Sequence, residues 1–468
     1  MKFIYYDLIF LVLFSIIVSI FLYKNRKKLK IESKILLLYK TSFGLNFIEK
    51  TSSKAPGIFK ILSVLSIVCG YFLMLGGIFL LLETIRLIWT SVIVPKVPPL
   101  MPLVPYLPNL FKIEFLPPFY FTYWIISIAI VAIGHEFMHG VFARFYKIKL
   151  KSTGFGFLGP FLAAFVELDE KIMEKKSVKA QLAVLSGGSF ANLVIAILFF
   201  FILNLFFAVS FSQAGVIIPQ LSIGEATIPS YIMVSANISE FTYQDNAINL
   251  TELKLENKTE FKLEREGENY YLTKEILSIT PENSSVLIVY ADTPAYRMKI
   301  NGTIRKINGN EIKNMSDFQY ILKEYKPGNN ISLETTEGNY TFELAKDPAN
   351  ASRGIIGIGF PQETRKRILV SFFEKIMTKK DTFTYYAPKA YFTIFIYNLL
   401  LWILLINVSV MLINMLPFSI FDGGRFFYLT LLGLTGSRKK AIKGFKIVNT
   451  LILLIFVTLM FVWILKSF

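Results

Sequence analysis

The chain has 468 residues, 54% of them hydrophobic and 18% charged, with a net charge of +17 and a mean hydropathy of +0.52. That composition excludes an ordinary soluble globular protein and places the chain in the membrane class. The positive charge is then read as basic flanks of membrane spans rather than a nucleic-acid surface, and no nucleic-acid partner is expected. The single cysteine, Cys69, lies in an apolar run, so no internal disulfide can form and a packed thiol is expected.

A helix needs about 20 mainly apolar residues to cross a bilayer. Six stretches qualify, at roughly 3–23, 59–91, 117–145, 180–211, 390–420 and 447–467. The first lacks a basic leading region and a small-residue cleavage site and carries Asp7, so it reads as a retained anchor rather than a signal peptide. Residues 24–54 hold nine Lys/Arg against two acids, and residues 93–116 hold two Lys, one Glu and several prolines. Residues 144–179 are basic again, as are 425–446, with six Lys/Arg and no acid. The positive-inside rule makes the three basic loops cytoplasmic. The N-terminus, the 93–116 loop, residues 212–389 and the C-terminus are then expected outside the membrane.

The third stretch contains His135-Glu136-Phe137-Met138-His139, which holds both histidines of the chain. Positions i and i+4 share a helix face, so both imidazoles can reach one metal ion, and zinc takes such nitrogen ligands at about 2.0 Å. Glu136 is then placed to serve as general base on an attacking water. The competing reading is a buried polar cluster that only hydrogen-bonds, but ionisable groups in a span are costly and usually functional. A catalytic zinc site takes three protein ligands and keeps one position open. Asp422 is the candidate third ligand, in Asn414-Met-Leu-Pro-Phe-Ser-Ile-Phe-Asp422-Gly-Gly424. Pro417 breaks the helix there, and the two glycines allow close approach of the backbone to a metal. Asp422 could equally cap the end of the span, and these residues alone leave both readings open.

Between the fourth and fifth stretches the composition changes. Residues 213–362 hold 19 Asp/Glu against 14 Lys/Arg and read as short strands. Val286–Tyr290 reads as a buried strand, Ala291–Ala295 as a turn, and Gly302–Gly309 as an alternating strand ending in a tight Asn-Gly turn. Ser316–Lys323 has helical spacing, and 331–334 with 340–344 form a candidate hairpin. Residues 213–283 are either part of the same domain or a separate one. Nine Asn-x-Ser/Thr sequons fall in 213–352, and the only other one, at Asn407, lies in a span. Sequons mark the surface of secreted regions, although a polar Asn-rich domain also collects them. Residues 365–389 carry seven Lys/Arg against the expected sidedness. The apolar spacing of Ile368–Met377 reads as an amphipathic helix on the outer surface.

His-Glu-x-x-His in one span and Asn-x-x-Pro with Asp-Gly in a later one resemble the site-2 protease family of intramembrane metalloproteases. Gly154–Glu167 looks like the family's membrane-entering β-hairpin, and Leu185-Ser-Gly-Gly-Ser-Phe-Ala-Asn192 like its small-residue and Asn motif. Leu37–Leu45 looks more loosely like archaeal members. Residues 284–360, with their Pro-Ala, Ile-Asn-Gly and Asp-Phe signals, resemble a PDZ domain of membrane-linked proteases, a type that binds a peptide as an added strand. Phe421 departs from the family's usual Leu before Asp-Gly, at a position that is not itself a ligand.

The resemblance implies a polytopic α-helical membrane protein of about six spans with an inserted extracytoplasmic β-rich PDZ-like domain. It implies one zinc ion held by His135, His139 and Asp422, with Glu136 activating water. Asn192 and Asn414 would orient substrate or stabilise the oxyanion, unless they serve only as hydrogen bonds between helices. The expected partners are transmembrane-helix substrates and the lipid bilayer. The chain divides accordingly into 1–58, 59–116, a first catalytic part at 117–211, the outer region 212–364, the basic segment 365–389, and a second catalytic part with the last span at 390–468. A prenyl-protein type of membrane protease would need a third ligand from another His, or from a Glu in a later span, and neither exists. A non-catalytic scaffold predicts a decayed motif, and a transporter predicts an internal repeat; neither is found.

Overall fold

In the computed structural model, residues 3–32, 36–90, 102–110, 116–158, 161–223, 226–347, 350–360 and 381–467 are described. The chain divides into two compact units, Met1–Phe207 with Ile394–Phe468, and Ala208–Thr393.

Apolar length dictates the first unit. Among the described residues, six helices are long and apolar enough to cross a membrane: Phe3–Lys24, Pro56–Trp89, Phe121–Phe145, Val178–Ser210, Thr393–Asn414 and Arg438–Leu465. They are apolar on all sides, as lipid-facing helices are. Phe72, Leu75, Phe201 and Leu205 point outward and exposed, while serines and amides lie inside. Ser186 Oγ donates to Ser66 Oγ at 3.1 Å and ties the fourth span to the second. Gly70 allows this approach, because a Cβ there would stand 3.0 Å from Ser186 Cβ and 3.1 Å from Met415 Cε. Cys69 is a free, half-buried thiol in the second span.

Asp7 explains why the first helix belongs to this bundle. It is 1% exposed. Its carboxylate accepts from Phe121 N at 2.8 Å, Thr122 N at 2.9 Å, Thr122 Oγ1 at 2.6 Å and Tyr106 Oη at 2.5 Å. These backbone N–H groups are the unpaired donors at the start of the third span, where negative charge is stabilising. One helix thereby caps another.

Four strands form a sheet beside the third span: β1 (Leu29–Glu32), β2 (Leu36–Thr41), β3 (Leu150–Leu158) and β4 (Phe161–Leu168), in that spatial order and all antiparallel. The hairpin expected at 154–167 is β3–β4. The β1–β2 hairpin was not anticipated, because Leu36-Leu-Leu-Tyr lacks the in–out alternation of a half-buried strand. Gly154 has a structural reason. A Cβ there would lie 2.2 Å from Tyr39 O on β2. The helix Leu45–Lys54 follows β2 and packs Ile48 against Gly140 of the third span. An ion pair between Glu49 and Arg144 adds to that contact.

The second unit is built on two six-stranded antiparallel sheets. One joins Met233–Asn237, Val286–Ala291, Glu268–Thr273 and Glu260–Arg265 to the short strands at Thr242–Tyr243 and Asn246–Ala247. The other joins Asn339–Glu343, Asn330–Thr335, Thr303–Ile307, Phe211–Ile217 and Thr384–Pro388, with Asn310–Glu311 beside Thr303–Ile307. A single apolar core runs from Val216 through Phe261, Leu272 and Val289 to Leu333 and Ile358. Residues on both sides of position 284 therefore share one interior. The Asn-Gly turn is present, with Asn308 at φ 47° and Gly309 at φ 80°, the left-handed pair such a two-residue turn requires. The turn expected at Ala291–Ala295 runs into a short helix, Pro294–Arg297, capped by Thr293. The helix expected from Ser316 starts one residue earlier, because Asn314 accepts from Asp317 N at 3.0 Å. Residues 365–380 of the expected amphipathic segment and most of the proline-rich loop lie outside the described residues.

Candidate metal centre

His135 and His139 sit on the third span, on its buried side. Their Nε2 atoms are 3.0 Å apart. Asp422 Oδ2 lies 3.2 Å from His135 Nε2 and 3.3 Å from His139 Nε2. The fifth span ends at Asn414, and the chain then turns through Pro417 before a new helix, Asp422–Thr435, begins. Asp422 opens that helix and faces the two imidazoles. The glycines after it act differently from the expectation of direct approach to a metal. A Cβ on Gly423 would lie 2.3 Å from Met415 C, and one on Gly424 would lie 2.3 Å from Phe418 O. They let the new helix pack on the turn that precedes it. Tyr71 Oη and Thr430 Oγ1, 2.9 Å apart, pin the new helix to the second span.

The donor set fits zinc. Three ligand atoms on a tetrahedron of radius about 2.0–2.1 Å stand roughly 3.3 Å apart, close to the observed spacing. The tautomers fit as well. A carbonyl only accepts, so His139 Nδ1–H donates to Val184 O at 2.7 Å and leaves the Nε2 lone pair free. Asn192 Nδ2 lies 3.1 Å from His135 Nδ1, while Asn192 Oδ1 is buried with no partner among the described residues, so the amide fits the site better turned over. With its oxygen on that side it accepts Nδ1–H and frees the second Nε2 in the same way. Asn192 is fully buried, so its role in this pairing is an interior one.

Gly188 is the site residue that reasoning from sequence missed. A Cβ there would lie 2.4 Å from both imidazole Nε2 atoms. The Ser-Gly-Gly run of the fourth span carried that signal, but its physical reason is visible only when the two helices are side by side. The Val184 carbonyl carries no sequence signal.

Glu136 lies with the two histidines, the three side chains offering ligand atoms within 4.8 Å of one another. Its Oε2 accepts from Val166 N on β4 at 2.9 Å. Val166 N–H therefore points away from β3, and β4 has no other strand beside it among the described residues. An apolar groove of about 400 Å³ adjoins this edge, lined by Phe43, Phe47, Ile133, Phe137 and Phe165 as well as Glu136. Asn414 is half-buried at the end of the fifth span, and no hydrogen bond joins it to the other five among the described residues.

Residues 123–459, well over half of the chain, match the model of peptidase family M50. The chain belongs to this family. It is the site-2 protease family, whose members are membrane-embedded zinc metalloproteases acting on membrane-protein substrates. The chain is also 32% identical over 197 residues to a Methanocaldococcus jannaschii protein described as uncharacterized. That match takes in 39% of this chain and 47% of the relative, about half the relative's length.

Proposed function

We propose that the chain is an intramembrane zinc endopeptidase that hydrolyses a peptide bond within or near a transmembrane helix of a membrane-protein substrate. The observation that carries this reading is the triangle of His135, His139 and Asp422 donor atoms at 3.0–3.3 Å, with Glu136 beside it. When bound there, zinc supplies a Lewis acid that polarises the scissile carbonyl and lowers the pKa of water. Glu136 takes a proton from the attacking water and returns it to the leaving amine. Asn192 holds His135 in its ligating tautomer, and Asn414 orients substrate from the end of the fifth span. Bound zinc counted in the purified chain, with and without chelator and beside cleavage of a single-span substrate, tests this reading. A metal-free chain that cuts equally well contradicts it.

A substrate helix hides its carbonyls in its own hydrogen bonds and must unwind locally to be cut. The outer edge of β4 offers the unwound segment a strand to join, and the adjoining groove offers an apolar slot for a side chain. Ala164 is two residues from Val166, so its N–H points to the same free edge. Ala164→Pro removes that donor without breaking a bond to β3 and leaves the Val166–Glu136 contact in place. It is expected to cut cleavage at least tenfold with zinc retained; unchanged cleavage contradicts strand addition.

The charge pattern supports a cytoplasmic placement of the basic loops, with both termini and residues 212–389 outside. In this reading the basic segment 365–389 lies on the outer surface. Residues 284–360 provide a PDZ-like module that filters substrates already trimmed outside. Since that module shares its core with 213–283, its test replaces residues 212–388 as a whole by a short linker. Altered cleavage of untrimmed substrates, with trimmed ones still cut, supports the filter; equal cleavage of both before and after contradicts it.

A further inference from the structure

The β-rich unit has a surface feature that proteolysis does not account for. Nine of the fourteen asparagines in residues 213–352 stand in Asn-x-Ser/Thr triplets, against one of the nine asparagines elsewhere. Ser and Thr make up 21 of those 140 residues, so chance pairing completes about two triplets, not nine. Asn-rich composition alone therefore does not produce the pattern.

The structure sorts the ten sites. Asn237, Asn249, Asn257, Asn283, Asn301, Asn330, Asn339 and Asn350 are exposed, and each stands in a loop or at the first or last residue of a strand. Asn314 is half-buried and doubly engaged. It caps Asp317 N, and its Nδ2 donates to Gln213 Oε1 at 3.0 Å. Asn407 is fully buried in the fifth span, donating to Ile403 O. Local capping gives part of the set a structural use, since Asn249 accepts from Thr251 N and Asn350 from Ser352 N. It does not account for Asn257, Asn283, Asn330 and Asn339, whose side chains make no hydrogen bond among the described residues.

We propose that the β-rich unit is an N-glycosylated ectodomain whose principal acceptors are Asn257, Asn283, Asn330 and Asn339, with Asn314 and Asn407 excluded. The donor class is a lipid-linked phosphate or pyrophosphate oligosaccharide. The Asn amide nitrogen attacks the anomeric carbon, a C–N bond forms, and the bond from that carbon to the phosphate oxygen breaks. The lipid phosphate leaves, and the amide proton passes to a base of the transferase. One consequence concerns peptide binding. Asn339 opens the strand Asn339–Glu343, an edge of its sheet. A sugar there blunts that edge against strand addition. The proposal rests on the outward placement of residues 212–389, and its test reads that placement separately.

The full chain is purified from the membranes of the organism that makes it, its intact mass is measured, and its glycopeptides are mapped. In parallel, a Cys69→Ala, Lys323→Cys chain is treated in intact cells with a membrane-impermeant maleimide. The expected result is labelling from outside, a mass above the 53.5 kDa of the polypeptide, and sugar at the four principal asparagines but not at Asn314 or Asn407. Asn→Gln changes at those four then lower the mass stepwise without altering cleavage, and Glu136→Gln leaves the sugars in place. A unit that labels from outside yet has the bare polypeptide mass overturns the proposal alone. A unit that does not label from outside overturns the sidedness and the proposal together.

Discussion

Both units bury an apolar core, but among the described residues only the membrane unit also buries Asp, His, Asn and Gln side chains. The β-rich unit has an apolar interior of Val216, Leu272, Val289 and Leu333, none of them exposed at all, under a polar surface. The membrane unit turns many of its large apolar side chains outward and gathers Ser, Asn, His and Asp inside. For the first unit, water drives the fold, and a buried apolar residue is a statement about stability. For the second, lipid is as apolar as leucine, so packing, small residues and internal hydrogen bonds hold the helices together. A buried polar residue there is costly and calls for a purpose. Asp7 and the His135–His139–Asp422–Asn192 cluster supply two such purposes, one structural and one chemical.

Substitutions separate the polar cluster of the membrane unit from the apolar core of the β-rich unit. The largest effect is expected at the metal ligands. His139→Ala or Asp422→Ala should lose bound zinc and lower cleavage on the order of 10³-fold or more. Gly188→Ala should do nearly the same by placing a methyl group between the two Nε2 atoms. A chelator should reproduce the loss in the wild type, and added zinc should reverse it. Metal analysis beside a cleavage assay checks all four outcomes. Glu136→Gln should keep the zinc and lower the turnover rate by about 10²–10⁴-fold. Asn192→Ala, at one remove from the metal, should weaken zinc binding by about 10–100-fold, measured by competition with a chelator of known affinity. In the β-rich unit, Leu272→Ala should cost about 2–5 kcal/mol of stability and leave the zinc content untouched. Thermal unfolding and metal analysis on the same sample separate the two. The smallest effect on zinc and on cleavage is expected at Asp7. Asp7→Ala takes the acceptor from four donors and should lower the unfolding midpoint with zinc still bound.

Much of this was legible in the residues. Six spans follow from apolar length, and two histidines four apart on one of them pointed to a metal. The third donor needed more than periodicity. Asp422 is distant in sequence and opens a separate helix after a proline turn, so only the packed bundle brings its carboxylate to the imidazoles. Two features escaped for clear reasons. Gly188 matters through the space it leaves between helices, which no one-dimensional pattern expresses. The β1–β2 hairpin is an apolar run without alternation, flanked by basic residues that in sequence read as a loop. In sequence Asp7 argues only against a signal peptide, and its partners, Phe121 N and Thr122 N, are brought to it by the packed bundle.

Cleavage of a model single-span substrate in detergent, with wild type beside Glu136→Gln and bound zinc counted in both, decides whether the cluster is catalytic. One zinc per chain is expected in each, with cleavage within the span by the wild type and cleavage about 10²–10⁴-fold slower by the variant. Zinc in both with equal cleavage would contradict the role of Glu136, and zinc in both with no cleavage of any substrate, trimmed ones included, would leave the His135–His139–Asp422 cluster as a structural metal site.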